Sequence, residues 1–506
     1  MTGFDCDLAV VGAGTAGCAA ALSAARAGLG VVLLDRRSAD QVGTKACGDA
    51  MEENEIRWTL AVLGVDLSPA VLRGNLGARI STSDGRDHLV IPAETAPRAM
   101  VDRPRMGRIL LDAAMAAGAE FRGNTRILDW VAEDDAIVGV RTEDGVLRAR
   151  CCLDCSGAAA GLRRKVAVPG PLEKEVGEGR LAFAYRELAR SPTGIPHPDE
   201  LVLTYDLAAS NGGYVWYFPN GRTHMNAGIG GSPSARPWAR CLEEHGRSWG
   251  MRWERISAAG AFLPARTFLS CAVAPGYIAC GDAACCVGPL DGAGIHSSLL
   301  SGHLAALQAT RALDLGGATL DRLWGYHRAY LGYRWEDSIL DHGAGISAQE
   351  ALRPLLQDLR QEDFDALVRM ADPRTVSALY STSWRSAGPL LRLVGKLASR
   401  PRLMSRIARA LWWMSKLRTH LLAYPETPDG HPVWNRKLER ILSKAGVLLR
   451  DCPDLTGYRS MAPCSILPWT CGGFPCASLP DPTAPSRRFS SSRLPTRAAP
   501  KVSWVG

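Results

Sequence analysis

The stretch DLAVVGAGTAGCAAALSAARAGLGVVLLDRR, residues 7–37, leaves little freedom to the fold that contains it. An apolar run closing on Val10 and Val11 reads as a buried strand, and Gly12, Gly14 and Gly17 supply G-x-G-x-x-G. The small residues from Ala19 to Ala27 read as a helix, and VVLLD as a second strand ending on Asp35. Gly12 permits the tight turn. Gly14 lets a pyrophosphate approach the backbone at the helix N-terminus, with Ala16 in the same turn, and Gly17 lets helix and strand pack closely. Asp35 is placed to accept hydrogen bonds from ribose hydroxyls. Strand, glycine turn, helix and acid in this order define a parallel α/β unit that binds a dinucleotide.

At 506 residues the chain is long for one core, so two or three domains are expected. An apolar fraction of 46% with 22% charged residues describes a globular protein. No uncharged apolar run reaches the ~18 residues of a membrane-spanning helix. The first strand-like run begins at Cys6 and leaves no room for a signal peptide, which predicts a cytoplasmic protein. Of 15 cysteines, 11 fall within residues 1–300, mostly in apolar runs, and read as free thiols. CCLDC and CGDAACC lack the paired spacing of a zinc site, so no metal is expected. The formal charge of +8 is localised: between Asp372 and Glu426 there are ten Lys and Arg and no acid.

A second segment, GYIACGDAACCVGPLDGAGIHSSLLSGHLAALQA (276–309), decides which dinucleotide is expected. It reads as a strand ending in Gly281 and Asp282, a loop with Pro289, then Gly292 and Gly294 opening a helix of small residues. A flavin needs such a distant contact. A carboxylate can hold ribityl hydroxyls, while a helix N-terminus can face the flavin's N1–C2=O edge and stabilise the reduced anion. The sequence here resembles FAD-dependent oxidoreductases of the hydroxybenzoate-hydroxylase type. That resemblance implies that Asp282, Gly292, Gly294 and Ile295 sit at the flavin and that Arg103, in VDRPRMGRILLDAAMAAGAEF, helps hold FAD. DCSGAAAGLRR is similar to that superfamily's third glycine motif.

Two further stretches narrow the resemblance. GTKACGDAM (43–51) follows the second strand, and Lys45 to Ala50 is similar to the lysine–x–cysteine–glycine–aspartate loop of geranylgeranyl reductases. GGYVWYFPNG (212–221) sets Tyr214, Trp216 and Phe218 on one side of a strand that Pro219 stops. By pattern alone these rings fit a sandwich core more readily than a pocket. Tyr214, Trp216, Phe218 and Pro219 nevertheless match the Tyr-x-Trp-x-Phe-Pro motif of the same family, most closely its archaeal-type members, and the resemblance extends over about residues 5–449. It implies that Cys47, Gly48 and Ala50 border the flavin and that the aromatic residues back a substrate pocket. Cys47 and Tyr214 become candidates for the proton path, although Cys47 also fits as a small residue packed on FAD. Lys45 is assigned to a phosphate or lipid headgroup. One departure stands out: Gly288 occupies a position where the family commonly has asparagine.

The fold class implied is α/β: a discontinuous Rossmann-like FAD-binding domain, a β-sheet substrate-binding domain and a C-terminal helical region. The expected boundaries are 1–165, with a substrate-domain insertion at about 66–100, then 166–270, 271–330 and 331–449. The tail, 450–506, with nine prolines and no periodicity, is expected to be disordered. The resemblance implies saturation of C=C bonds in the geranylgeranyl or polyprenyl chain of a lipid, quinone or prenyl diphosphate. An FAD-dependent monooxygenase or halogenase, and a non-catalytic FAD-binding membrane-associated protein, are the alternatives. No second strand–glycine-turn–helix unit is evident, so the donor is a transiently docked NADPH or a ferredoxin. Residues 384–424 interleave basic and apolar residues at helical spacing, with Trp412 and Trp413. Such a helix either packs on the protein or rests on the inner face of a membrane. Nucleic acid is not an expected partner, since no recognised binding fold accompanies the charge.

Overall fold

In the computed structural model, which describes residues 3–335, 342–372 and 395–447, the strand Cys6–Val11 pairs in parallel with Val31–Leu34 on one side and Val146–Asp154 on the other. Tyr277–Ala279 extends the sheet beyond Val146–Asp154, and Glu120–Arg122 extends it beyond Val31–Leu34. Its central strands are buried on both faces, which accounts for their near-continuous Val, Leu, Ala and Cys content. The helix Thr15–Arg26 crosses between the first two strands and packs against the helix Ile295–Asp314. Small residues make that contact close. A Cβ on Gly302 would lie 2.0 Å from the carbonyl oxygen of Ala16. The two ends of the nucleotide-binding half, far apart in sequence, are joined at this helix pair.

A second sheet runs Glu254–Pro264, Leu181–Arg190, His224–Gly231, Tyr214–Pro219, Glu200–Thr204, Val71–Ser81, Arg98–Val101 and Ala50–Glu52, with His88–Ile91 paired to Val71–Ser81. It too is assembled from separate parts of the chain. Val215, Tyr217, Ala227 and Ile229 lie on one face and are covered by the helix Trp238–Ser248 through Trp238 and Leu242. Trp216, Phe218 and, at the margin, Tyr214 belong to another cluster, with Leu76, Ala78, Ile91, Met100 and Leu201.

The helix Pro401–Leu422 buries Leu403, Ile407, Ala410, Met414, Leu417 and Leu421 against the body of the protein. A buried aromatic clamp follows it. Tyr424 Oη donates to the carbonyl of Ser270 at 2.7 Å, His431 Nε2 donates to the same carbonyl at 3.0 Å, and Trp324 Nε1 donates to the carbonyl of Pro425 at 2.9 Å. Among the described residues no helix is long and apolar enough to cross a membrane. The expected tail and residues 384–394 of the basic segment lie outside the described residues. The 11 described cysteines are all free.

Candidate active site

The glycine turn is fixed by close approaches. Gly12 has φ +102°, and a Cβ there would lie 2.5 Å from the carbonyl oxygen of Cys155. A Cβ on Gly17 would lie 1.8 Å from the carbonyl oxygen of Gly12. Gly14, the N-cap of Thr15–Arg26, has nothing within 4 Å of its would-be Cβ, and no side chain caps that helix. This open, uncapped N-terminus suits a pyrophosphate. Asp35 accepts from the amides of Ala13 at 2.7 Å and Arg37 at 2.8 Å, so it pins the turn and keeps lone pairs for ribose hydroxyls. Arg103 is buried and donates through Nη2 to Thr15 Oγ1 at 3.0 Å, which places its guanidinium at the same helix start.

Asp282 enters from the other end of the chain. It is buried; Oδ2 meets Lys45 Nζ at 2.5 Å, and Oδ1 has no hydrogen-bond partner. Gly281, at φ +58°, sets the turn that brings Asp282 beside Ala16: a Cβ on Gly281 would lie 2.9 Å from the Ala16 Cβ. Gly294 is the N-cap of Ile295–Asp314, again without a side-chain cap, and Gly292, at φ +69°, lies beneath Tyr214. The departure at Gly288 has a local cause. A Cβ there would lie 2.3 Å from Oδ1 of Asp291, whose carboxylate accepts from the amide of Ala293 at 3.0 Å.

The loop 45–50 and the aromatic strand meet. A Cβ on Gly48 would lie 3.0 Å from Phe218 Cε2 and 3.7 Å from Trp216 Nε1, so this glycine is what lets the loop lie on the rings. Tyr214 and Trp216 ring centroids are 5.8 Å apart, and those of Trp216 and Phe218 6.3 Å apart. Trp216 and Phe218 are themselves buried and Tyr214 is half-buried, so the rings serve as sheet core and as a wall facing the loop. Pro219 ends the strand opposite Met225; alternation sets it on the face of Val215 and Tyr217, away from the three rings. Ala50 joins the ring cluster from the strand Ala50–Glu52.

Of three neighbours, Asn226, Arg186 and Asp49, the first two carry no signal comparable to the motifs. Asn226, fully buried opposite Phe218, donates from Nδ2 to Cys47 O and to Asp49 Oδ2, both at 2.8 Å, and accepts from Trp216 Nε1 at 3.0 Å. Its only trace in the sequence is one amide inside the otherwise apolar run MNAGIG. Asp49 sits in the recognised loop. Burial pushes its carboxyl up to about 6 against the pull of Arg103 and Arg186. Arg186 arrives from Leu181–Arg190, in register with Gly228 and through it with Trp216, and donates to Lys45 O at 3.3 Å. Burial and the Asp49 charge push the half-buried Cys47 thiol up, so it is held neutral. Tyr214 Oη is committed as donor to the carbonyl of Asp291, and burial pushes this phenol up too.

Asp282 Oδ1, Asp49 Oδ1, Arg103 Nε and Arg186 Nε and Nη1 are all buried without a hydrogen-bond partner. Unsatisfied buried groups of this kind carry a cost unless a ligand meets them. Carboxylates for hydroxyls, guanidinium groups and an open helix N-terminus for phosphate form the donor set that an FAD molecule requires.

Residues 7–165 match the family model described as FAD dependent oxidoreductase. Fold and site together define an FAD-dependent oxidoreductase, with FAD as its cofactor. The chain is similar to the digeranylgeranylglycerophospholipid reductase of Sulfolobus acidocaldarius, 24% identical over 87% of this chain and 97% of the other. It is 30% identical to the menaquinone reductase of Mycobacterium tuberculosis (strain CDC 1551 / Oshkosh), over 63% of this chain and 78% of the relative. A solved geranylgeranyl bacteriochlorophyll reductase-like protein from Thermoplasma acidophilum shares the fold with a TM-score of 0.68 and 19% identity, over 80% of this chain and 99% of that one. The chain belongs to the geranylgeranyl reductase family of flavoproteins.

Proposed function

We propose that this protein saturates C=C bonds of a membrane-resident isoprenoid lipid or prenyl quinone, with FAD, once reduced, supplying the hydride. The packing of Gly48 on Phe218, with Cys47 beside it and Trp216 tied to the same loop through Asn226, carries this reading. An unactivated trisubstituted alkene accepts hydride only as a proton is added to its other carbon, so positive charge develops during the reaction. The face of a buried ring stabilises such charge by ~0.5–2 kcal/mol. The chain must also provide the proton. Tyr214 has its hydroxyl hydrogen engaged by Asp291 O, whereas Cys47 holds a neutral thiol in the loop, which favours Cys47 as donor and Tyr214 as part of the wall. Lys45, half-exposed and paired with Asp282, anchors the loop, which supports that role over headgroup capture.

A substrate in a membrane is supported by the outer surface of Pro401–Leu422. With its apolar stripe spent on the protein, this helix exposes Arg402, Arg409, Lys416 and Trp412, and His431–Ala445 exposes Arg436, Lys437, Arg440 and Lys444. Trp413 is half-buried and packs edge-on against Trp412. Exposed basic residues on both helices, with an exposed tryptophan on the first, suit an anionic lipid surface.

The test is anaerobic. Dithionite-reduced holoprotein is mixed separately with a geranylgeranyl glycerolipid, a prenyl quinone and geranylgeranyl diphosphate. Flavin reoxidation with a product heavier by two hydrogens per alkene is expected for the lipid or the quinone. Preference for the diphosphate would remove the membrane substrate. Stable reduced flavin with all three substrates would remove the reductase reading. Supplying NADPH or reduced ferredoxin in place of dithionite identifies the donor.

A further inference from the structure

The loop 45–50 turns at Asp49 with φ +61°, a left-handed conformation for which glycine is the ordinary choice. Asp tolerates it better than most residues but still at a cost. A side chain kept there is there for what it reaches, and what it reaches is Asn226. Indole Nε1 is a donor only, so the Trp216 contact requires that Asn226 present Oδ1 to the indole and its NH₂ to the loop. That NH₂ then spends both hydrogens on Cys47 O and Asp49 Oδ2, which fixes the carboxylate beside Cys47. The Asp49 amide in turn donates to Cys47 Sγ at 3.3 Å. The charged and titratable groups acting on Asp49 are Arg103 from Arg103–Ala116, Arg186 from Leu181–Arg190 and Cys47 in its own loop. Its second oxygen has no partner.

We propose that Asp49, oriented by Asn226, is the acid that returns a proton to Cys47 after each alkene is saturated. The inference rests on the reductase reading above and on Cys47 as its proton donor. In each cycle the alkene π bond and the Cys47 S–H bond break. Reduced FAD, when bound, would supply the hydride and with it two electrons to one carbon, and Cys47 gives its thiol proton to the other. The thiolate then takes the proton from the Asp49 carboxyl, and water restores it to Asp49. The direction is downhill, because the buried carboxyl, raised to about 6, remains a stronger acid than a thiol raised above its ordinary 9.0. The thiolate therefore does not persist beside the flavin.

Two readouts test this, one of them free of substrate. In substrate-free holoprotein, the S–H stretch of Cys47, assigned by its loss in Cys47→Ala, is followed by infrared spectroscopy from pH 4 to 9. A shift of that band with a midpoint near 6, absent in Asp49→Asn and moved to higher pH in Asn226→Ala, is the expected result. A band that ignores pH in the wild type, or titrates unchanged in Asp49→Asn, overturns the proposal whether or not any prenyl chain is reduced. In the second readout, reduced enzyme meets prenyl substrate with excess dithionite. Within Asp49→Asn itself, later saturations should run at least about tenfold slower than the first, since Cys47 begins protonated, whereas the wild type should show no such drop. An Asp49→Asn enzyme slowed equally on every turnover has lost structure rather than proton return, and the proposal fails. If the wild type reduces no substrate but the S–H band titrates with Asp49, the functional reading falls while the Cys47–Asp49 coupling stands.

Discussion

Lys45 Nζ lies 2.5 Å from Asp282 Oδ2, across 237 positions of sequence, and so ties the loop carrying Cys47 to the carboxylate we propose as a flavin contact. The two partners differ in setting: Lys45 is half-exposed, whereas Asp282 is buried and has a free oxygen. Asp282→Ala should weaken FAD binding about tenfold to a hundredfold, the loss of one or two charge-assisted hydrogen bonds. Lys45→Ala should weaken it less than about fivefold, because a screened, half-exposed pair contributes ~0–1 kcal/mol. Titration of apoprotein with FAD, followed by flavin fluorescence, gives both values; equal losses would show that Lys45 holds the cofactor directly.

The glycine at 288 and the aspartate at 291 are one feature. Gly288→Ala should destabilise the protein by about 1 kcal/mol, because its methyl group displaces a carboxylate that holds the amide of Ala293. In an Asp291→Ala background the same change should be nearly neutral. A double-mutant cycle in urea measures the coupling, and additivity would show that the crowding is relieved some other way.

Two partly buried acids set opposite pH dependences. Glu173 is held down at about 2, against its own desolvation, by Arg266, whose Nη1 lies 2.6 Å from Oε1. Its folded value is below its unfolded value of 4.5, so its contribution is present above ~4.5 and lost as pH falls toward 2. Glu173→Gln should remove this acid-side loss and cost about 3–5 kcal/mol at neutral pH by orphaning Arg266. Glu55 behaves in reverse: burial and its neighbour Glu52 raise it to about 8, so stability falls as pH rises from 4.5 to 8. Glu55→Gln should be more stabilising at pH 9 than at pH 5. Chemical denaturation across pH measures both slopes.

Two side chains of the C-terminal helical region, Tyr424 and His431, converge on the carbonyl of Ser270. Tyr424→Phe leaves the stacking on His327, centroids 4.6 Å apart, but removes the hydroxyl that donates to Ser270 O. The expected cost is about 1–1.5 kcal/mol, with earlier proteolytic cleavage between residues 395 and 447 than in the FAD-binding half. Cleavage that begins in the FAD-binding half would mean that the clamp does not control the helices.

The sequence alone determined the parts whose cause is local. Gly12 and Gly17 announce a turn because left-handed φ and close backbone approach admit little else, Gly14 leaves the helix N-terminus open, and Asp282 is legible because a strand, an acid and a glycine-opened helix follow in order. The alternation of Tyr214, Trp216 and Phe218 shows one face of a strand, since the period of two is a property of the strand itself. Tertiary structure decided what meets that face. Asn226 reaches Trp216 and the loop because its strand pairs with Phe218 opposite; a slip of one residue would turn the amide to the other face. Arg186 arrives by the register of a third strand, and Lys45 finds Asp282 only once the helices Thr15–Arg26 and Ile295–Asp314 have packed. Asp49 was visible as a letter of the loop, but the burial that makes it a weak acid arises only in the folded chain, as do Arg103, Arg186 and Asn226 as its neighbours, which oppose that rise from a helix and two other strands. Registers and desolvation are properties of chain segments brought together, and no single stretch of this sequence carries them.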